Sequence, residues 1–238
     1  MAPRLNCQQT WAQRLSIVVP VRNEAAALRQ ALLALQDLRA AGVELIVVDG
    51  CSEDATPDLA QGLADRVLRT DPGRALQMNA GAQASDRALL LFLHIDTALS
   101  AGAVPALLAA LDGGFAWGRF DVSIEPATPL LRLVGGMMNL RSRISGICTG
   151  DQALFMRRDA FDAVGGFPRQ DLMEDVEISR RLRRLGRPAS LRLRVRTSSR
   201  RWLRHGVLRT VLLMWWLRLR YALGAEPTLL ARLYREVR

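Results

Sequence analysis

Three apolar runs constrain this chain more than any other feature: LSIVVPVRNE (15–24), ELIVVDG (44–50) and ALLLFLHID (88–96). Each is continuous rather than alternating, rich in leucine or β-branched residues, and ends in polar residues. Strands of a parallel sheet read this way because helices cover both of their faces. Between the first two runs, EAAALRQALLALQDLRAAG has apolar residues at helical spacing, with Gly42 as its stop. A further helix is expected from Thr56-Pro57, where Thr caps and Pro suits the first turn. A weak strand at 66–69 precedes another helical stretch, GRALQMNAGAQAS. This alternation predicts an open, mostly parallel α/β sheet flanked by helices.

Past Asp96 the rhythm changes. Helices are expected at 102–111 and 129–143, and GGFAWGRFDVSIE reads as an alternating strand, expected at a sheet edge and antiparallel. ALFM is a short strand, MEDVEISRRLRRLG a helix, and 190–196 a half-exposed strand. The end, GVLRTVLLMWWLRLRYALG, reads as one long helix with Leu208, Val211, Leu212, Trp215 and Leu219 along a stripe. No internal repeat or linker divides the sequence, so a single domain over 1–238 is expected.

The formal charge of +10 comes from arginine alone, with no lysine in the chain, and its excess lies after Arg180. Basic charge suits anionic partners, although genomic composition accounts equally well for all-arginine usage. Aromatic residues are few and do not interleave with the arginines, so a stacking platform for nucleic acid is poorly supported. Three cysteines without a CxxC pair fit a reduced, cytoplasmic interior. No secretory signal is expected at the N-terminus. The apolar stretch at 211–217 falls far short of the roughly 20 residues needed to span a bilayer. Tryptophans beside arginines there suit peripheral contact with the inner membrane face, or packing on the domain or on a second copy of the chain.

Ligands of open parallel sheets collect at the carboxyl ends of the strands. Those ends carry Asn23 and Glu24, Asp49, and His94 and Asp96. Any one of these acids also suits a helix cap; three strands delivering acids to one edge exceed that role. Neither GxGxxG nor GxxxxGK[ST] is present, so a nucleotide has to be held by side chains. Asp49 suits a base N–H or ribose hydroxyl, and the planar fork of Arg74 suits a phosphate or base. Glu174 and Asp175 open a helix, where the exposed amides favour acids, and a carboxylate there is also well placed as a general base.

Taken in order, SIVVPVRNE, VVDGCSEDAT, FLHIDT, GDQALFMRR, VGGF and MEDVEISRRLRRLG resemble family 2 glycosyltransferases of the GT-A fold, over about 15–202. FLHIDT and SSRRW look most like a small bacterial subgroup found near radical-SAM and selenium-related genes. The resemblance implies a nucleotide-binding half (15–100), an acceptor and catalytic half (101–202) and a C-terminal helical extension (203–238). It further implies a nucleotide-sugar donor, a UDP-sugar first, and transfer to an acceptor hydroxyl with inversion. By the same resemblance Pro20, Val21, Arg22, Asn23, Glu24, Asp49 and Arg74 hold the nucleotide. Asp96 is the surviving acid of the family's DxD and holds Mg²⁺ or Mn²⁺, while Asp175, beside Glu174, is the base.

Two departures stand out. His94 occupies the first DxD position; its imidazole either ligates, favouring Mn²⁺, or hydrogen-bonds a neighbour. In SSRRW, Ser198 replaces the Gln of QxxRW, which speaks against a processive polymerase; Arg201 and Trp202 either touch the substrates or form a basic turn with a packed Trp. Asp151 and Gln152 suit sugar hydroxyls or a turn, and Trp117 and Arg119 suit the acceptor side or packing. The competing function is a non-catalytic nucleotide-sugar binder on the same fold.

Overall fold

A computed structural model describes residues 11–237, with Arg201 and residues 235–237 described in backbone only. In chain order the elements are β1 (Leu15–Val21), α1 (Ala25–Leu33), α2 (Gln36–Ala40), β2 (Glu44–Asp49), α3 (Thr56–Ala60), β3 (Arg66–Arg69) and α4 (Arg74–Ala84). They continue as β4 (Leu89–Phe92), β5 (Thr97–Ala98), α5 (Ala103–Asp112), β6 (Trp117–Glu125), α6 (Pro129–Ser145), β7 (Leu154–Arg157) and α7 (Arg158–Ala163). The last are α8 (Glu174–Leu182), β8 (Ala189–Ser198), α9 (Arg200–His205), α10 (Val207–Ala222) and α11 (Pro227–Val237).

The strands form one eight-stranded sheet in the order β3-β2-β1-β4-β7-β6-β8-β5. The half built from the three apolar runs is parallel throughout: β3 with β2, β2 with β1, and β1 with β4. Every residue of β1, β2 and β4 is buried, as continuous apolar runs require. One face packs Ile17, Val19, Leu28, Leu45 and Phe155 together; the other packs Val18, Ile46, Leu90, Phe92 and Trp117. Helix α4 lies so close to β1 that a Cβ on Gly81 would come within 2.3 Å of Val18 Cγ1. From the same helix, Gln77 Nε2 donates to Val21 O (2.7 Å) and Val48 O (2.8 Å). This side chain pins together the two carboxyl ends where the sequence places its acids.

Two expectations change. The long helix expected at 24–42 is two, α1 and α2, because the Gln36 side chain donates to Leu32 O (2.9 Å), the carbonyl its backbone N–H would take in a continuous helix. Strand β6 is not an edge: it runs antiparallel to β7 and parallel to β8, inside the sheet. Its alternation comes from polar residues that pair beneath α6 rather than meet water. Fully buried Arg119 donates to Asp121 and to Asn139 O (3.3 Å), and Asp121 also accepts from Arg143. On the stripe of the C-terminal helix, Leu208, Leu212, Trp215 and Leu219 are exposed, whereas Val211 packs with Leu131 and Val134 of α6. Helix α10 is anchored by Thr210 and Leu217, the latter packing with Met173, Val176 and Leu230. Among the described residues no helix is long and apolar enough to cross a membrane.

Candidate functional site

The site forms where β4 ends. The chain leaves Phe92, and a turn closed by Thr97 N–H on His94 O (3.0 Å) sends it into β5. Ser198 N–H of β8 donates to Asp96 O (3.0 Å), which fixes the turn from the far side. Antiparallel β7 returns beside β4, and the turn before it, Gly150–Gln152, comes to rest against the His94 ring. A Cβ on Gly150 would lie 2.0 Å from His94 Cε1 and 2.3 Å from Nε2, so only glycine permits this contact.

That contact gathers three ligand-bearing side chains. His94, Asp96 and Asp151 each offer one ligand atom within 4.8 Å of the others. His94 Nδ1 and Asp151 Oδ1 are 3.6 Å apart, and the histidine is buried. Two carboxylate oxygens and an imidazole nitrogen are a donor set that fits a divalent cation, and the nitrogen favours Mn²⁺ over Mg²⁺.

Gly150 also faces the candidate base. Its backbone N–H donates to Asp175 Oδ2 (3.0 Å), while Asp175 Oδ1 accepts from Val176 N–H (2.7 Å). Burial, and then the charge of adjacent Glu174, raise the Asp175 carboxyl from 3.8 to about 6; the Gly150 N–H and Arg74 oppose them. Glu174 is buried and meets Arg74 at 3.6 Å. Burial pushes the nearby Cys148 thiol up to about 12, so it stays protonated and inert.

Two clefts meet at His94. The first, about 430 Å³, has Pro20, Val21, Arg22, Glu24, Arg74 and Asp96 in its walls. Glu24 is held at 3.5 Å from Arg200 there. The second runs from Asp151, Glu174 and Asp175 outward between α6 and α10, with Trp202 in its wall. Several residues named from sequence stand behind these walls rather than in them. Asp49 is buried and accepts from Ser52 N–H (3.1 Å). Asn23, at φ 53°, accepts from Glu53 N–H (2.8 Å) and so ties two loops together. Gln152 is fully buried and its Oε1 accepts from Thr149 N–H (3.3 Å), bracing the Gly150 turn. Trp117 lies apart from the clefts in the core, where its indole donates to Gly186 O (3.0 Å). Arg119, paired under α6, is likewise outside them. The Arg201 side chain lies outside the described residues.

Sequence reasoning missed the partnership of Asp151 with His94 and Asp96, and the role of Gly150 between them. The only signal is the Gly-Asp-Gln placed before a short apolar strand. It also missed Gln77, Arg141 and Arg218; the last two line the second cleft.

The sequence pattern of Glycosyl transferase family 2 matches residues 16–165. A PGL/p-HBAD biosynthesis glycosyltransferase of Mycobacterium bovis is 31% identical over 169 residues, covering 66% of this chain and 64% of that protein. Thus the match leaves about a third of the relative's length unspanned. Among solved structures, a mannosyltransferase from Pyrobaculum calidifontis, in complex with GDP-Man and Mn²⁺, aligns with a TM-score of 0.60 at 18% identity. That alignment covers 77% of this chain and 56% of the other. S. aureus TarS 1-349 in complex with UDP aligns at 0.59 and 19% identity, over 78% and 60% of the two chains. At such identities the likeness is one of fold, and it is the GT-A-type mixed sheet with flanking helices. The motifs along 16–165, carried on this sheet, show that the chain belongs to glycosyl transferase family 2.

Proposed function

We propose that the protein transfers a sugar from a nucleotide-sugar donor to an acceptor hydroxyl, with inversion at the anomeric carbon. The observation that carries this reading is the Gly150 turn. It presses His94, Asp96 and Asp151 together on one side and hydrogen-bonds Asp175 on the other. The first cleft is then the donor side, fed by 15–100, and the second is the acceptor side, walled by 101–202 and the C-terminal helices. That the related structures hold GDP-Man with Mn²⁺, or UDP, supports a nucleotide sugar as donor. UDP remains the first base to test, and FLHIDT and SSRRW support the radical-SAM-associated subgroup.

Asp175 takes the proton of the acceptor hydroxyl, whose oxygen forms a bond to the anomeric carbon as the carbon–oxygen bond to the diphosphate breaks. The nucleoside diphosphate leaves with the electron pair. Because one carboxylate serves as base and no second nucleophile intervenes, a single displacement inverts the centre. A carboxyl raised to about 6 is a better base than an ordinary aspartate yet is ionised at neutral pH. Arg74 sits between the clefts, where a guanidinium meets diphosphate oxygens. His94, Asp96 and Asp151 would hold Mg²⁺ or Mn²⁺, which neutralises charge on the leaving diphosphate.

Thermal denaturation with UDP-, GDP- and dTDP-sugars, with and without Mn²⁺, tests the reading. A true donor at 100 times its Kd stabilises the native state by about 2.7 kcal/mol. No shift with any of them rejects it. If a donor binds, absence of turnover leaves a binding protein, and unchanged turnover in Asp175→Asn removes that residue as base.

A further inference from the structure

Helices α6 and α10 present apolar faces on which nothing described in the structure packs. On α6, Leu133, Leu140 and Ile144 fall on one side and are 60%, 59% and 72% exposed. On α10, Leu208 and Leu212 are each 67% exposed, and Trp215 and Leu219 each 58%. The two helices meet through Val134, Met138, Val207 and Val211, so their outer faces flank one seam. Contiguous apolar surface of this kind marks an interaction site.

Charge decides what it meets. No Asp or Glu occurs between 126 and 150 or between 178 and 225, whereas Arg132, Arg204, Arg209 and Arg220 stand exposed beside the leucines. A symmetric dimer through this face would set arginine against arginine. An anionic lipid surface is complementary to it, and tryptophan with arginine around leucine is the composition of interfacial helices.

The cleft that opens at this seam leads to Asp175. Its walls are Met137 and Met138 from α6 and Val211, Met214 and Trp215 from α10. Arg141 Nη2 and Arg218 Nε, one from each helix, are buried there without a hydrogen-bond partner. Apolar walls with two unsatisfied guanidinium donors suit an amphiphile that carries an anionic group.

We propose that the α6–α10 face docks on an anionic bilayer and that the cleft takes its acceptor from that bilayer, an amphiphile with an anionic group beside the accepting hydroxyl. The acceptor role of the cleft rests on the transferase reading; the docking does not.

The test sediments the full chain with vesicles of phosphatidylglycerol and phosphatidylcholine, and with phosphatidylcholine alone. Binding is expected on the anionic vesicles at low salt, and about tenfold weaker binding on neutral vesicles or at high salt. Leu133→Glu with Leu212→Glu, both on the exposed face and outside the cleft lining, lowers binding at least about tenfold while the donor-induced thermal shift persists. Dodecyl phosphate, below its micellar concentration, shifts the tryptophan emission, and Arg218→Gln weakens that response. Absence of vesicle binding, binding retained by the double variant, or a dimer that the double variant dissolves overturns the docking. No response to dodecyl phosphate overturns the acceptor class. Loss of every nucleotide-sugar shift would count against the transferase alone and leave the vesicle result standing.

Discussion

Replacing Gly150 with alanine tests the centre of the site with one carbon atom. The added Cβ would sit 2.0 Å from His94 Cε1 and 2.3 Å from Nε2, against an ordinary contact of about 3.5 Å. The ring therefore has to retreat by about 1.5 Å, which carries its nitrogens away from Asp151 and Asp96. The backbone at 150 is outside the left-handed region and its N–H still reaches Asp175, so the perturbation is steric and confined to the histidine. Misplacing one donor of a three-donor set costs about 10- to 100-fold in metal affinity. The strained core costs about 1–3 kcal/mol in stability. Calorimetric titration with Mn²⁺ measures the first, chemical denaturation the second. Gly136→Ala is the control: nothing lies within 4 Å of its Cβ, and in a helix interior it adds about 0.5–1 kcal/mol. If Gly150→Ala binds Mn²⁺ as tightly as the unchanged chain, His94 is not part of the cation site.

Asp175→Asn should abolish transfer at every pH, and the unchanged enzyme should lose activity as pH falls below about 6 and the base becomes protonated. The raised carboxyl favours the native state below about pH 4, and that stability is lost as pH rises through about 6; the shift from 3.8 corresponds to about 3 kcal/mol at most. In metal-free buffer the Asn variant should therefore melt higher than the unchanged chain above pH 6 and alike at pH 4; a lower melting point at both would contradict the account. Arg119→Met removes a fully buried partner of Asp121 and should cost about 3–5 kcal/mol in denaturant, with turnover per folded molecule unchanged because Arg119 lies outside both clefts.

The parallel half of the sheet was legible because burial on both faces writes itself into the sequence: before their carboxyl ends β1, β2 and β4 hold only two polar side chains, Ser16 and Glu44, which hydrogen-bond each other. The same ends announced His94 and Asp96. Asp151 was not legible as their partner. It reaches them only because β7 pairs antiparallel with β4, a contact between residues more than sixty positions apart that leaves no local pattern. Strand β6 misled in a related way. Arg119 and Asp121 look like solvent-facing positions, but charges that neutralise one another under α6 alternate with apolar residues just as exposed ones do. On α10 periodicity identified an apolar stripe and left its neighbour open, since a hydrophobic period states that a face is apolar and not what covers it.

The turn at Gly150 has a consequence for how such an enzyme changes over time. Asp151 and the amide that holds Asp175 belong to adjacent residues, so the span from cation site to base is set by peptide geometry rather than by side-chain rotamers. The walls of the outer cleft come from α6 and α10, separate stretches of chain that share no backbone with that turn. Acceptor preference can drift through Met137, Met214 or Trp215 while the reach of the chemistry stays fixed, so a new substrate does not require a new catalytic spacing.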